Sequence, residues 1–196
     1  MMDRVPNDWY HLENEAPIQY RCGYCDVTVG SRAAYYVSQL SGAFRIRICP
    51  NCNRPTYFEG EGAQMEQSPG VPFGETVGNL PAGVKELYDE ARACTGINAH
   101  TAAVLACRKI LMHVAVEKKA KEGESFIEYV NYLVSKGYVP PDGQGWVDHI
   151  RKKSNEANHE IKIMESETAQ ELVVFVEMLL RFIYDLPARV PKPKTL

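Results

Sequence analysis

The sequence predicts a small β module followed by an all-α domain of four to five helices. Three observations predict it. Two Cys-x-x-Cys pairs, Cys22/Cys25 and Cys49/Cys52, are separated by 23 residues, enough for a β-hairpin between two tight turns. Apolar residues around those pairs alternate with a period of two. From residue 81 onward the period becomes 3.6, after a stretch rich in Gly and Pro.

The cysteines carry the firmest chemistry. Each Cys-x-x-Cys turn presents two thiolates, and two such turns make the tetrahedral four-sulfur cage that Zn²⁺ prefers. A structural Zn²⁺ held by Cys22, Cys25, Cys49 and Cys52 is therefore the expected cofactor, and residues 1–62 read as a zinc ribbon with an N-terminal leader. A pair of disulfides is the alternative. Metal-held thiolates suit a reducing compartment, so the cytoplasm is the expected location. The start of the chain is neither basic nor followed by an apolar stretch, so no secretory signal is read there. No apolar run reaches the length of a membrane span.

Within the ribbon, Asp26–Val29 leaves the first turn as a strand. Ala34–Val37 and Phe44–Ile48 flank a turn at Ser41-Gly42, and Thr56–Phe58 follows the second pair. Alternation places Phe44, Ile46 and Ile48 on one face and Arg45 and Arg47 on the other. A core this small cannot offset the entropy of its own ordering, so the metal must contribute much of the stability.

Residues 63–80, with Pro69, Pro72 and several glycines, read as a linker, and residues 81–188 as the helical bundle. Pro81 suits the first turn of a helix carrying Val84, Leu87, Tyr88, Ala91 and Cys94, ended by Gly96. Asn98 is the expected N-cap of a second helix with Ala103, Cys107, Ile110, Leu111 and Val114. Ser125 and Glu128 form a capping box for a third, which stops near Gly137. Pro140-Pro141-Asp142 opens a fourth, with Trp146, Val147, Ile150 and Ala157. A fifth begins at Ser166 or Thr168 and ends at Pro187, leaving residues 189–196 as a loose tail. The fifth is apolar on two sides, through Leu172, Val176, Leu179, Ile183 and Leu186 and again through Val173, Phe175, Leu180 and Phe182. Such a helix is central to a bundle or is buried by a second subunit, and a homodimer through it is one expectation.

The net charge of -3 is unevenly distributed. Residues 20–60 hold five arginines against Asp26 and Glu59, whereas the segments on either side are acidic. Arg forks match phosphates and carboxylates alike. Arg45 and Arg47, interleaved with tyrosines, are candidate contacts to single-stranded RNA or DNA, although the same residue mix also builds a small core. In the predicted fourth helix, Arg151, Asn155 and His159 stack at i, i+4 and i+8 beside Lys152 and Lys153. Arg and the lysines suit a phosphate, Asn can orient a ligand, and His, with a reference pKa of about 6.5, can move a proton from a ribose hydroxyl. A solvated helix face is the other reading. His100 and His113 read as core or surface histidines, and Cys94 and Cys107 as buried thiols. There is no glycine-rich phosphate loop and no Gly-x-Ser-x-Gly elbow.

The chain resembles a bacterial and phage family of unknown function with an N-terminal zinc ribbon and a helical domain related to the HEPN superfamily. The residues carrying the resemblance are Tyr88-Asp89-Glu90-Ala91-Arg92, Ala102–Lys109, Ile150-Arg151 with Asn155 and Ala157–His159, and Tyr184-Asp185-Leu186-Pro187. The resemblance implies a HEPN-like bundle of four to five helices, often dimeric, with a polar groove near the fourth. Active members of that superfamily are metal-independent ribonucleases using an Arg and a His four to six residues apart. Here seven residues separate Arg151 from His159, and Lys152 and Lys153 occupy the matching spacing.

Three functions follow as expectations. The first is a non-catalytic nucleic-acid- or protein-binding module, with a setting in defence, counter-defence or regulation implied by the resemblance. The second is an endoribonuclease using His159 with Arg151. The third is a dimeric adaptor with a protein partner and no nucleic-acid ligand.

Overall fold

The structure, a computed structural model, describes residues 13–36, 44–60, 65–139 and 163–190. The chain divides into two compact units, residues 1–72 and 73–196.

The first unit is an antiparallel meander of five strands in sequence order. They are β1 (Glu13–Arg21), β2 (Thr28–Tyr36), β3 (Phe44–Ile48), β4 (Pro55–Glu59) and β5 (Glu66–Ser68). The first cysteine turn joins β1 to β2 and the second joins β3 to β4. Between them lies a small core of Tyr20, Cys22, Val29, Cys49 and Phe58. The rings of Tyr20 and Phe58 meet edge to face, 5.0 Å between centroids.

Strand β3 turns an arginine toward the buried side. Ala34, Arg47 and Thr56 are register partners across β2, β3 and β4, and all three are buried. Arg47 is only 2% exposed, and its guanidinium donates to the carbonyls of Ser31 at 2.8 Å and Ala16 at 3.3 Å. Small partners on both sides leave room for it, and backbone oxygens accept from a group that would otherwise be costlier to bury. Ile46, on the opposite side of the strand, is 39% exposed.

The second unit has four long helices among the described residues: α1 (Ala82–Gly96), α2 (His100–Glu117), α3 (Phe126–Ser135) and α4 (Ser166–Leu180). Helix α2 touches α1, α3 and α4, so it buries residues on most of its circumference, from Ala103 and Val104 to Val114 and Ala115. Three helices end alike. Asn98, Lys119 and Gly137 adopt left-handed φ of 59°, 77° and 74°. Each is followed by paired backbone bonds that satisfy the last carbonyls, as in Gly137 to Val134 and Tyr138 to Leu133. Asn98 therefore closes α1 rather than capping α2. The Ser125–Glu128 capping box is present as read.

Helix α4 buries Val173, Phe175 and Leu180 as well as Leu172, Val176 and Leu179, so most of its second apolar stripe is covered inside the unit. Pro187 does not end it. The backbone widens into a π turn, Arg181–Asp185, and continues as a short helix α5 (Leu186–Arg189). The Leu186 N–H reaches back to Arg181 O, which puts Pro187 in a first turn where no N–H is required.

Residues 73–80, within the expected linker, are fastened to the helices. Arg92, itself buried, donates to Phe73 O at 3.0 Å and Gly74 O at 2.6 Å. Phe73 N–H donates to Thr95 Oγ1, Tyr88 OH to Glu75 O, and Asn79 Nδ2 to Asp185 Oδ1. Glu177 accepts from Glu75 N–H, while Val77 enters the core. Earlier in the same stretch, residues 66–68 form β5.

Candidate metal centre

Each cysteine turn is built by the same backbone bonds. Cys22 N–H donates to Val27 O and Asp26 N–H to Cys22 O; Cys49 N–H donates to Arg54 O and Asn53 N–H to Cys49 O, all between 2.8 and 3.0 Å. Closing such a turn needs a left-handed residue just after the second cysteine. Asp26 and Asn53 supply it, with φ of 61° and 56°, because short polar side chains tolerate that region best after glycine. The turns thus repeat one geometry, although outside the cysteines they share only a short Asx residue.

The two turns bring all four sulfurs within 4.8 Å of one another, and the cluster can hold a metal ion. Two of the separations, Cys22 to Cys52 and Cys25 to Cys49, are 3.8 Å. These are free thiols rather than disulfides, since bonded sulfurs stand about 2.05 Å apart. Tyr24 N–H points at Cys22 Sγ from 3.5 Å. Burial raises the Cys22 and Cys52 thiols above their ordinary value, and backbone N–H groups aimed at the sulfurs work against that rise. Such amides stabilise thiolate, the form a metal binds.

Several supporting residues carry no sequence signal of their own. The Arg54 guanidinium lies 5.2 Å over the Tyr24 ring and links the two turns. Arg21 pairs with Asp26 at 2.6 Å across the base of the first. Gln67 of β5 donates to Arg21 O and to Pro69 O. Gly23 sits beneath Pro69 and Gly70 so closely that a Cβ would stand 2.3 Å from the Pro69 carbonyl oxygen.

Of the other candidates, Arg45 is half-buried on β3 and Arg47 is the buried residue described above. A nucleic acid cannot reach Arg47 in this fold. Arg151, Lys152, Lys153, Asn155 and His159 lie outside the described residues, as does the expected fourth helix. Cys107 is fully buried and burial pushes its thiol up to about 12; Cys94 is also raised by burial. Neither is poised as a nucleophile. No helix among the described residues is long and apolar enough to cross a membrane.

Fold and site together define a β module whose four clustered cysteines can hold a metal ion, followed in the chain by a helical unit. Residues 89–196, more than half of the chain, match the family described as a domain of unknown function, DUF4145, and the chain belongs to that family. No curated protein and no solved structure matches it.

Proposed function

We propose that the protein is a zinc-organised binding module, non-catalytic, whose β unit is held in its working shape by Zn²⁺ on Cys22, Cys25, Cys49 and Cys52. The observation that carries this reading is the sulfur geometry. Ligands about 2.3 Å from a tetrahedrally held zinc stand about 3.8 Å apart, and two of the four cross-turn separations are 3.8 Å. All-thiolate donation favours zinc or iron over harder cations, and a site closed by four protein ligands is structural, with no position left for a substrate.

Elemental analysis of the freshly purified full-length protein tests the reading. The expected result is one zinc per chain, lost in Cys49→Ser. Substoichiometric metal, or iron in place of zinc, overturns it. The expected self-association through the last helix has outward candidates in Val174, Phe182 and Leu186, which are 38%, 49% and 46% exposed. Light scattering of Phe182→Asp beside the wild type tests that part.

A further inference from the structure

The outer face of the sheet narrows the class of partner. Tyr35, Ile46 and Tyr57 are register partners across β2, β3 and β4. With strands about 4.8 Å apart, two tyrosines bracket an isoleucine over about 10 Å. Ile46 and Tyr57 are more than a third exposed, and Tyr35 is half-buried. The next row along, Ala34, Arg47 and Thr56, faces the other way and is buried, so the outer row is not the hidden core of this unit. Single exposed apolar residues are ordinary, whereas these three adjoin one another across three strands as a short apolar strip.

The charge beside that row is negative. Glu59 lies two residues from Tyr57 on the same side of β4, accepts from the Tyr57 hydroxyl at 3.3 Å, and pairs in register with Glu66 of β5. Both glutamates are exposed. Among the described arginines of the unit, Arg47 is buried, Arg21 is bridged to Asp26, Arg54 covers Tyr24, and the exposed Arg32 alternates to the side opposite Tyr35. Arg45 alternates to the side opposite Ile46. Residues 1–72 hold six arginines against eight acidic residues. A phosphate backbone would be repelled here, whereas a cationic polypeptide is attracted.

Strand addition is not the docking mode. β1 carries Pro17 and an irregular register between Asn14 and Ile18, and β5 is three residues long and runs into Pro69. Both edges are therefore blunted, while Ile46 and Tyr57 of the face are exposed.

We propose that the Tyr35–Ile46–Tyr57 face docks a protein segment that carries Lys or Arg beside apolar side chains. The apolar groups seat on the row and the cations meet Glu59 and Glu66. The proposal rests on the zinc-module reading, because the two cysteine turns close the β1–β2 and β3–β4 hairpins that form the face.

The test uses the full-length chain as purified. A random twelve-residue peptide library is selected on it, and the enriched peptides are labelled and titrated by fluorescence anisotropy. Enriched peptides should combine Lys or Arg with aliphatic or aromatic residues. Their binding should weaken at least about tenfold in Tyr57→Ala, the loss typical of an interface anchor. It should weaken again with Glu59→Lys and with rising salt. Metal content and circular dichroism of each variant report folding, and Ile46→Ala replaces Tyr57→Ala if that variant loses its metal. Peptides that bind these variants as tightly as the wild type, that lack cationic residues, or that are displaced by a twenty-residue oligo-dT overturn the proposal. If the purified chain holds no zinc and Tyr57→Ala still weakens the peptides, the zinc reading alone fails. Stoichiometric zinc with variants that bind like the wild type sinks only the docking face.

Discussion

Gly23→Ala tests whether β5 and the first cysteine turn act as one structure. A Cβ on Gly23 would lie 2.3 Å from Pro69 O, 2.6 Å from Gly70 O and 2.9 Å from the Pro69 carbonyl carbon. Carbon–oxygen contacts rest at about 3.3 Å or more, so the two chain segments must separate by about 1 Å. Every atom in the way is backbone, which cannot swing aside as a side chain would. The displacement also strains the Gln67 bonds to Arg21 O and Pro69 O. Overpacking of this kind costs about 1–3 kcal/mol. Metal binding and folding of a small cage are coupled, so the same energy appears as metal affinity weakened about 5- to 150-fold, at about 1.4 kcal/mol per factor of ten. The control is Gly30→Ala in β2, where an added Cβ meets nothing within 4 Å; relief of glycine's entropy there should stabilise by about 0.5–1 kcal/mol. Competition for zinc against a chromophoric chelator, run on the full-length protein, reads both variants. If Gly23→Ala holds zinc as tightly as Gly30→Ala, β5 does not brace the site and the reasoning fails.

Other expectations address the two units separately. Chelation should abolish the β signal in circular dichroism while the helical signal persists, since the helical core of unit two contains none of the four clustered cysteines; loss of both signals together would contradict two independently stabilised units. Arg92→Met should destabilise the helical unit by about 2–3 kcal/mol in urea titration, because charge-assisted bonds to Phe73 O and Gly74 O are removed and two carbonyls lose their donor. Leu133→Ala, at a fully buried position of α3, should cost about 2–5 kcal/mol by the same assay. Burial raises the Glu117 carboxyl, but hydrogen bonds from Tyr184 and Lys118 outweigh it and hold the group below the ordinary carboxylate range. A depressed folded pKa contributes stability that is present above the unfolded value, about 4.3, and is lost as pH falls through the folded one. The urea midpoint of the wild type should therefore drop more steeply on acidification below about pH 5 than that of Glu117→Gln; equal slopes would remove Glu117 from the acid response.

Much of the cage was legible because its determinants are local. A Cys-x-x-Cys turn needs only a few consecutive residues, and Asp26 and Asn53 stand where a left-handed residue closes it. Helix stripes were legible for the same reason: Val130 and Leu133, or Leu172, Val176 and Leu179, fall on one face through helical spacing alone, and all are buried. The Ser125–Glu128 box spans four residues and formed as its spacing dictates.

What the sequence determined by itself, then, is the set of features closed within one turn of chain: the two cysteine turns, the helical faces and the third helix's cap. Tertiary structure alone decided the rest. Whether Arg47 meets solvent depends on Ala34 and Thr56 from two other strands, and on carbonyls 16 and 31 positions earlier in the chain. Composition marked residues 73–80 as a connector, yet Arg92, Tyr88, Glu177 and Asp185 hold them. The helical continuation past Pro187 likewise required a π turn that residue preferences do not announce. The physical reason is common to these cases. Burial of a polar group is settled by whichever distant partner satisfies it, and the period of the chain carries no record of that partner.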